Sequence, residues 1–211
     1  MNSHGVTLKG PAHSAGATYA LELPDATGTS GQILQTNGSG KLSFVDAGGG
    51  ITSTSNSSLN GNSSVLFTGL PSDVSHIWIH VYNCSADGFG DSFTSIRLGT
   101  SSGILTSGYR AGAGAFRNGN NPKTSDKSDR LPFFYSEGQS NRVFSGIAHC
   151  AKLSDNKWVM SSMGATDHTS AQNYTGGGHI DVSAAVTQIQ IVLDGGGVTN
   201  WDAGSINISY M

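Results

Sequence analysis

The sequence predicts an all-β protein, and three features of the chain lead to this prediction. Nine runs of 6–12 residues, rich in aliphatic and aromatic side chains, recur between residues 64 and 210, separated by segments such as SADGFGD, LSDN and DGGG. Several runs alternate apolar and polar residues, and no stretch sustains the 3.6-residue period of an amphipathic helix. Glycine, at 30 of 211 residues, suits many turns. Short strands at regular spacing are typical of a β-sandwich or β-barrel.

The nine predicted strands follow one another with turns between them. They are SVLFTGL (64–70), SHIWIHVYNC (75–84), SFTSIRLG (92–99), GILTSGY (103–109), RLPFFY (130–135), RVFSGIAHCAKL (142–153), KWVMSSM (157–163), TQIQIVLD (187–194) and GSINISY (204–210). Since strand side chains alternate between faces, Ile77, Ile79 and Val81 share one face, which we expect to lie in the core. In the last run Ile206 and Ile208 have the same relationship.

Two further runs carry specific signals. Ile189, Ile191 and Leu193 share a face, whereas Val192 interrupts the polar side and is a candidate for contact with a neighbouring subunit. Pro132 has no backbone N–H to donate, so its strand is predicted to lie at a sheet edge or to begin there.

Residues 1–48 have a different texture. Three extended segments are predicted there, at 5–10, 17–24 and 32–45, and the last reads as a hairpin around the turn NGSG. A region of roughly 45 residues with so few large apolar groups seldom folds alone. We therefore expect it to need a partner, and identical copies are the simplest one.

The Gly- and Ser-rich passage 46–64 reads as a joint followed by a flexible or extended segment. The predicted domains are accordingly 1–48 and 49–211.

Composition excludes several classes of function. Charged residues are only 12% of the chain and the formal net charge is −3, so there is no basic footprint for nucleic acid. No apolar run approaches the roughly 18 residues of a membrane span, so no membrane insertion is expected. The opening MNSHGVTLKG lacks the basic and apolar regions of a secretory signal, which favours synthesis in a cytoplasm.

Catalytic chemistry is not predicted either. The aspartates of the chain mostly occupy turn positions, where the side chain caps its own backbone. Its two cysteines, Cys84 and Cys150, lie within or beside apolar runs, so we expect buried thiols, with a single bridge between them as the alternative. The sequence thus predicts no enzyme and no cofactor, and a polysaccharide depolymerase is the alternative kept among enzymes.

Several motifs together resemble a known family. NWDAGSINISYM is similar to the closing motif of C-terminal domains in fibre proteins of tailed bacteriophages, and VLFTGLPSDVSHIWIHVYN resembles the opening of the same domain. IRLGTSSGILTSGYRAGAGAF resembles its middle. Upstream, ATYALELPDATGTSGQILQTNGSGKLSFVDAG is similar to a stem module of marine phage fibres, especially those of cyanobacteria. The resemblance runs from about residue 5 to 211.

This resemblance implies a homotrimeric virion protein with an intertwined β stem and a jelly-roll head. The head would recognise a glycan or an outer-membrane component of the bacterial host, and the N-terminal stem would attach to another virion protein. Attachment to the tail or to the capsid stays open, and a capsid-anchored head fibre or decoration protein with an architectural role is the alternative. Trp201 stands at the aromatic position of the closing motif, which assigns it a structural role.

Candidate receptor-binding residues fall in two segments, 112–130 and 164–180, that we predict to be loops facing the host, together with the residues just before the first. Tyrosine beside Ser, Gly and Asn is the composition that antibody loops use for adaptable recognition. The candidates are Tyr109, Arg110, Phe116, Arg117, Asn118, Asn120, Asp167, His168 and Tyr174.

No metal site is predicted, and His76 with His80 is the one alternative arrangement. His76 and His80 share a strand face with Trp78 between them, so a trimer axis could gather their copies around a transition-metal ion. Ordinary packed or surface histidines are the competing interpretation.

Overall fold

The computed structural model describes residues 12–16, 18–47, 50–87, 91–117, 123–137, 143–166, 172–195, 197 and 199–211. Across these residues the chain is all-β, which confirms the predicted class, and the only helical element is a 3₁₀ turn at His13–Ala15. No described helix is long and apolar enough to cross a membrane. The chain divides into two compact units, Met1–Gly50 and Ile51–Met211.

The strands are short and numerous, as the alternating runs indicate. Their bounds are β1 Gln32–Thr36, β2 Leu42–Asp46, β3 Thr52–Ser53, β4 Ser57–Ser58, β5 Ser64–Thr68, β6 His76–Ala86, β7 Asp91–Thr100, β8 Gly103–Ile104, β9 Tyr109–Arg117, β10 Lys123–Lys127, β11 Leu131–Glu137, β12 Phe144–Lys152, β13 Lys157–Thr166, β14 Gln172–Asp181, β15 Gln188–Gly195 and β16 Trp201–Tyr210.

The first unit contains the predicted hairpin. Strands β1 and β2 pair antiparallel, and the Asn37 side-chain oxygen accepts hydrogen bonds from the backbone N–H groups of Ser39 (2.8 Å) and Lys41 (3.1 Å). Gly38 has a φ of 80°, a left-handed conformation that costs glycine little. The extended segment 17–24 forms only an isolated bridge, Glu22 with Lys41, and the segment 5–10 lies outside the described residues.

Two antiparallel sheets build the second unit. The larger has nine strands in the order β10-β9-β14-β13-β12-β6-β16-β3, with β4 also pairing with β16. The smaller has five, in the order β11-β7-β15-β5, with β8 pairing with β7. The chain's last strand, β16, pairs with β6 along nearly its whole length and with β3 and β4 on its other side.

The two sheets share one hydrophobic core, an arrangement consistent with a β-sandwich. Ile77, Ile79 and Val81 are buried as predicted. The other core isoleucines predicted from alternation are also buried, namely Ile189, Ile191, Ile206 and Ile208, and Leu193 is half-buried against the same cluster. One hydrogen bond that crosses between the sheets runs from Ser162 Oγ on β13 to the carbonyl oxygen of Phe133 on β11 (3.0 Å).

Pro132 lies where its missing N–H predicts. Its strand β11 is the terminal strand of the five-stranded sheet, and the pairing with β7 shifts register between Pro132 and Phe134. The edge prediction is therefore confirmed.

The prediction that segments 112–130 and 164–180 are loops is wrong for most of their described residues, which form strands. Residues 112–117 and 123–127 belong to β9 and β10, residues 164–166 complete β13, and 172–180 lie in β14. Strands β9 and β14 are rich in glycine or alanine, so no apolar alternation marks them, and backbone pairing with neighbours supplies their stability instead. In the run 103–109, only Gly103 and Ile104 pair as β8, and Tyr109 already begins β9.

The two cysteines are free and buried, so the expectation of buried thiols is confirmed and the alternative bridge is wrong. Burial raises the pKa of the Cys150 thiol to about 12 and raises that of Cys84 as well. Neither is a reactive thiolate near neutral pH.

Candidate functional site

A trough crosses the outward face of the nine-stranded sheet where β9 runs between β10 and β14. Its floor consists of Gly112 and Gly114 on β9 and Gly177 on β14, and Gly177 is the direct partner of Gly112 in the strand register. Because no side chains rise from these positions, the backbone itself is the floor. The trough encloses about 500 Å³.

Three side chains stand at the rim of this glycine floor. Phe116 projects from β9 with 53% of its surface exposed, Asp126 lies on β10 opposite Gly112, and Thr175 lies on β14 opposite Gly114. The rim therefore offers an aromatic face, a carboxylate and a hydroxyl. Concave sites of this kind bind small molecules through apolar area plus a few placed polar groups.

The trough continues past Asp126 into a second hollow of about 420 Å³. Asp126 lines both hollows, and the second also includes Arg110 and Lys127. Arg110 is exposed and lies on the same outward row of β9 as the glycines and Phe116. The row thus has a guanidinium at one end and an aromatic ring at the other.

Two of the predicted receptor-binding residues are buried, and their hydroxyl groups bond within the protein. Tyr109 is 2% exposed, and its hydroxyl oxygen accepts from Leu98 N (2.9 Å) and donates to Leu105 O (3.2 Å). Burial raises the pKa of Tyr109. Tyr174 is 1% exposed and its hydroxyl donates to Gln172 Oε1. Neither ring can present a face to a ligand on the surface, so both are corrected to structural residues.

The remaining seven candidates divide into three groups. The structure brings Arg110 and Phe116 together on one face of β9. Arg117 ends the same strand, and its side chain is outside the description. Four candidates lie outside the described residues, namely Asn118, Asn120, Asp167 and His168.

Asp126 and Thr175 are the rim residues that sequence reasoning missed. Both come from strands that we predicted as loops, and Asp126 resembles the many turn aspartates of this chain. The only usable signal was the alternation of glycine with alanine in RAGAGAF and the run TGGG, which is typical of a strand packed closely on one face and bare on the other.

A ring cluster lies farther along the same outward face. The rings of His76, Trp78 and His149 are parallel within 15°, with centroids 5.0–5.6 Å apart. His76 Nδ1 and His149 Nε2 are 2.9 Å apart, a hydrogen-bond distance, so one of these nitrogens carries a hydrogen. Burial lowers the pKa of His149, and the neighbouring His76 lowers it further.

His76 and His80, the alternative metal ligands, have different hydrogen-bond partners. His76 turns toward His149 on β12, whereas His80 Nε2 lies 3.3 Å from Ser209 Oγ on β16. Within the described ranges, no group of three or more His, Cys, Asp or Glu residues could hold a metal.

The chain was compared with family models, curated proteins and solved structures. No protein-family model matches the chain, and no curated protein or solved structure matches it significantly.

Proposed function

We propose that this chain is a fibre protein of a tailed-bacteriophage virion, a homotrimer that recognises a glycan on the bacterial host surface. The first unit is the trimeric β stem and attaches to another virion protein. The second unit is the receptor-binding head, of jelly-roll type, and its trough binds the glycan. The observation that carries the binding role is the exposed ring of Phe116 beside a bare glycine floor with Asp126 across it.

The closing strand supports the assignment to this family. The resemblance implies that NWDAGSINISYM forms the last strand of the head, with its aromatic residue in a structural role. Residues Trp201–Tyr210 form β16, and Trp201 is 1% exposed. Ile206 and Ile208 of the same strand lie in the core.

The apolar surface of the first unit supports a homotrimer. About half or more of each of five large apolar side chains is exposed there in a single chain, namely Tyr19, Leu21, Leu23, Ile33 and Leu34. Exposed apolar groups in such density favour association, because their burial removes them from water. Copies of the same chain are the simplest source of complementary surface, since soluble oligomers are mostly symmetric assemblies of one chain.

The chemistry of the trough suits a sugar. A pyranose ring has an apolar C–H face that can lie on an aromatic ring and hydroxyl groups that a carboxylate can accept from. The glycine floor adds backbone groups within reach of a flat ligand. One such site is weak, but three per trimer and several fibres per virion raise the effective affinity by about 10²–10⁴ when geometry allows simultaneous binding.

Competition for adsorption tests the binding role. The purified wild-type protein should reduce adsorption of the virion to host cells, and Phe116→Ala should lose most of this effect. Leu66→Ala is the matched control, because Leu66 is 50% exposed on the five-stranded sheet. Equal competition by wild type and Phe116→Ala would remove the trough from the proposed function.

Light scattering tests the assembly separately. The expected mass is three times that of the 21.7 kDa chain. A stable monomer would contradict the proposed stem.

A further inference from the structure

The central strands of the nine-stranded sheet present a broad outward surface without formal charge. We call it the uncharged patch, and it comprises outward positions of β6, β12 and β13, which alternate with the buried core positions of the same strands. These positions are His76, Trp78, His80, Tyr82, Ser145, Ile147, His149, Ala151, Val159, Ser161, Met163 and Ala165. None of them is Asp, Glu, Lys or Arg, and Lys157, the first residue of β13, bounds the patch at one end.

Large apolar side chains of the uncharged patch are strongly exposed and adjoin one another. Tyr82, Ile147 and Met163 are 65%, 48% and 62% exposed. Ile147 is the cross-strand partner of Met163 on β13 and of His80 on β6, so the surface is continuous across all three strands. A hollow of about 220 Å³ opens between Ile147, His149 and Met163.

A solvated face of an antiparallel sheet ordinarily carries polar and charged residues. The other sheet of this unit does carry charged residues, because Arg97 on β7 pairs with Asp129 at 3.0 Å and Asp194 on β15 pairs with Arg130 at 2.5 Å. The two outer faces therefore differ in charge as well as in exposed apolar area. The patch has the character of a face that is covered in the assembled protein.

The lack of charged side chains on the patch bears on which molecule covers it. Permanent interfaces between copies of one chain are more apolar than transient interfaces, and interface cores are depleted in charged residues and enriched in aromatic residues and methionine. A different protein partner would be steered and selected by complementary charges, which this face does not offer. An uncharged face with exposed Ile, Met, Tyr and Trp therefore suits contact with another copy of the chain.

We propose that the uncharged patch is the surface through which the second units of neighbouring copies contact each other. This inference rests on the proposed homotrimer and adds where the heads meet. The trough adjoins the patch at Thr175, the cross-strand partner of Met163, whereas Phe116 on β9 and Asp126 on β10 lie beyond β14 and outside the patch.

Methionine oxidation tests this in the full chain. Met163 is 62% exposed in a single copy, and oxidation by peroxide follows exposure. The substitution Leu66→Met supplies a reference methionine on the opposite sheet, at a position 50% exposed. In the assembled Leu66→Met protein we expect Met163 to oxidise on the order of fivefold or more slowly than the reference methionine does, as read by mass spectrometry of peptides.

The outcomes separate the two proposals. A trimer by light scattering whose Met163 oxidises as fast as the reference overturns the patch and leaves the trimer standing. A monomeric mass overturns the proposed trimeric stem, and contact between copies through the patch with it. Protection of Met163 that arises only when host cells or virions are added overturns contact between copies and assigns the patch to another partner.

A matched pair of charge variants gives a second test. Ile147→Lys puts a cation in the patch, and Leu66→Lys puts one at similar exposure on the opposite sheet. We expect Met163 to become rapidly oxidised in Ile147→Lys and to stay protected in Leu66→Lys. Retained protection in a folded Ile147→Lys protein would overturn the proposal.

Discussion

The indole nitrogen of Trp201 donates a hydrogen bond to Thr94 Oγ1 at 3.3 Å, joining β16 of the nine-stranded sheet to β7 of the five-stranded sheet through the core. Both residues are almost fully buried. A buried polar group that loses its partner costs its full desolvation free energy, so this bond, like that from Ser162 to Phe133, contributes to holding the two sheets together.

Trp201→Phe should therefore lower the free energy of unfolding by about 1–3 kcal/mol, because it removes the donor and leaves the Thr94 hydroxyl without this bond. The matched control is Trp158→Phe, since the Trp158 indole nitrogen is buried without a hydrogen-bond partner among the described residues. Urea unfolding followed by circular dichroism compares the two. Equal losses would show that packing volume, rather than the bond across the core, determines the effect.

Two neighbouring glycines on β14 should respond differently to alanine. A Cβ at Gly176 would lie 2.5 Å from Pro132 O and 2.6 Å from Ser162 Oγ, where the two sheets approach closely. Gly176→Ala should cost about 1–3 kcal/mol of stability through overpacking.

At Gly177 the added Cβ points outward and its nearest contact is Met160 O at 3.3 Å. Gly177→Ala should thus cost less stability than Gly176→Ala, yet it narrows the trough and should weaken competition for host adsorption. Thermal unfolding and the adsorption assay measure these two effects. A Gly177→Ala protein with undiminished competition would mean that the ligand does not reach the floor.

Asp87 holds the segment before β16 in place. Its carboxylate accepts from Asn200 N at 2.8 Å, and from Thr199 N at 2.9 Å and Thr199 Oγ1 at 2.8 Å. These bonds, with that from Asn200 first, lower the pKa of Asp87 below its usual value. A lowered pKa in the folded state means that the stabilisation is present above the unfolded pKa of about 3.9 and is lost as pH falls through the folded value.

Asp87→Asn should accordingly be less stable than the wild type at pH 7, and the difference should shrink as pH falls below about 4. Melting temperatures of both proteins across about pH 2–7 measure it. A difference that stays constant with pH would show that the carboxylate charge contributes nothing.

The buried thiols predict a reactivity pattern. Because burial raises the pKa of Cys150 to about 12 and that of Cys84 also, neither should react with iodoacetamide in the native protein at about pH 8. Both should react fully after unfolding in guanidinium. Rapid native modification of either residue, seen by mass spectrometry, would mean that its strand opens readily.

The sequence predicted best where strands alternate large aliphatic residues. Ile77, Ile79, Ile189 and Ile191 lie in the core because a period of two identifies one face without knowledge of neighbours. The position of Pro132 was equally predictable, since proline has no backbone N–H to donate and is therefore restricted to the edge or the start of a strand.

Strands β9 and β14 could not be predicted in this way. Several of their inward positions are small, such as Ala113 and Gly176, and at Gly176 the opposite sheet packs too closely to admit a side chain. Likewise, only the folded register shows that the hydroxyl of Tyr109 finds backbone partners at Leu98 and Leu105. The trough was unpredictable for the same reason, since strand pairing joins residues distant in sequence.

Binding of the purified protein to surface polysaccharide from the bacterium that the virion infects tests the central claim most directly. Wild type should bind measurably, Phe116→Ala should bind about tenfold more weakly, which corresponds to ~1.4 kcal/mol, and Leu66→Ala should match the wild type. No binding by the wild-type protein, or equal binding by wild type and Phe116→Ala, would contradict glycan recognition at the trough.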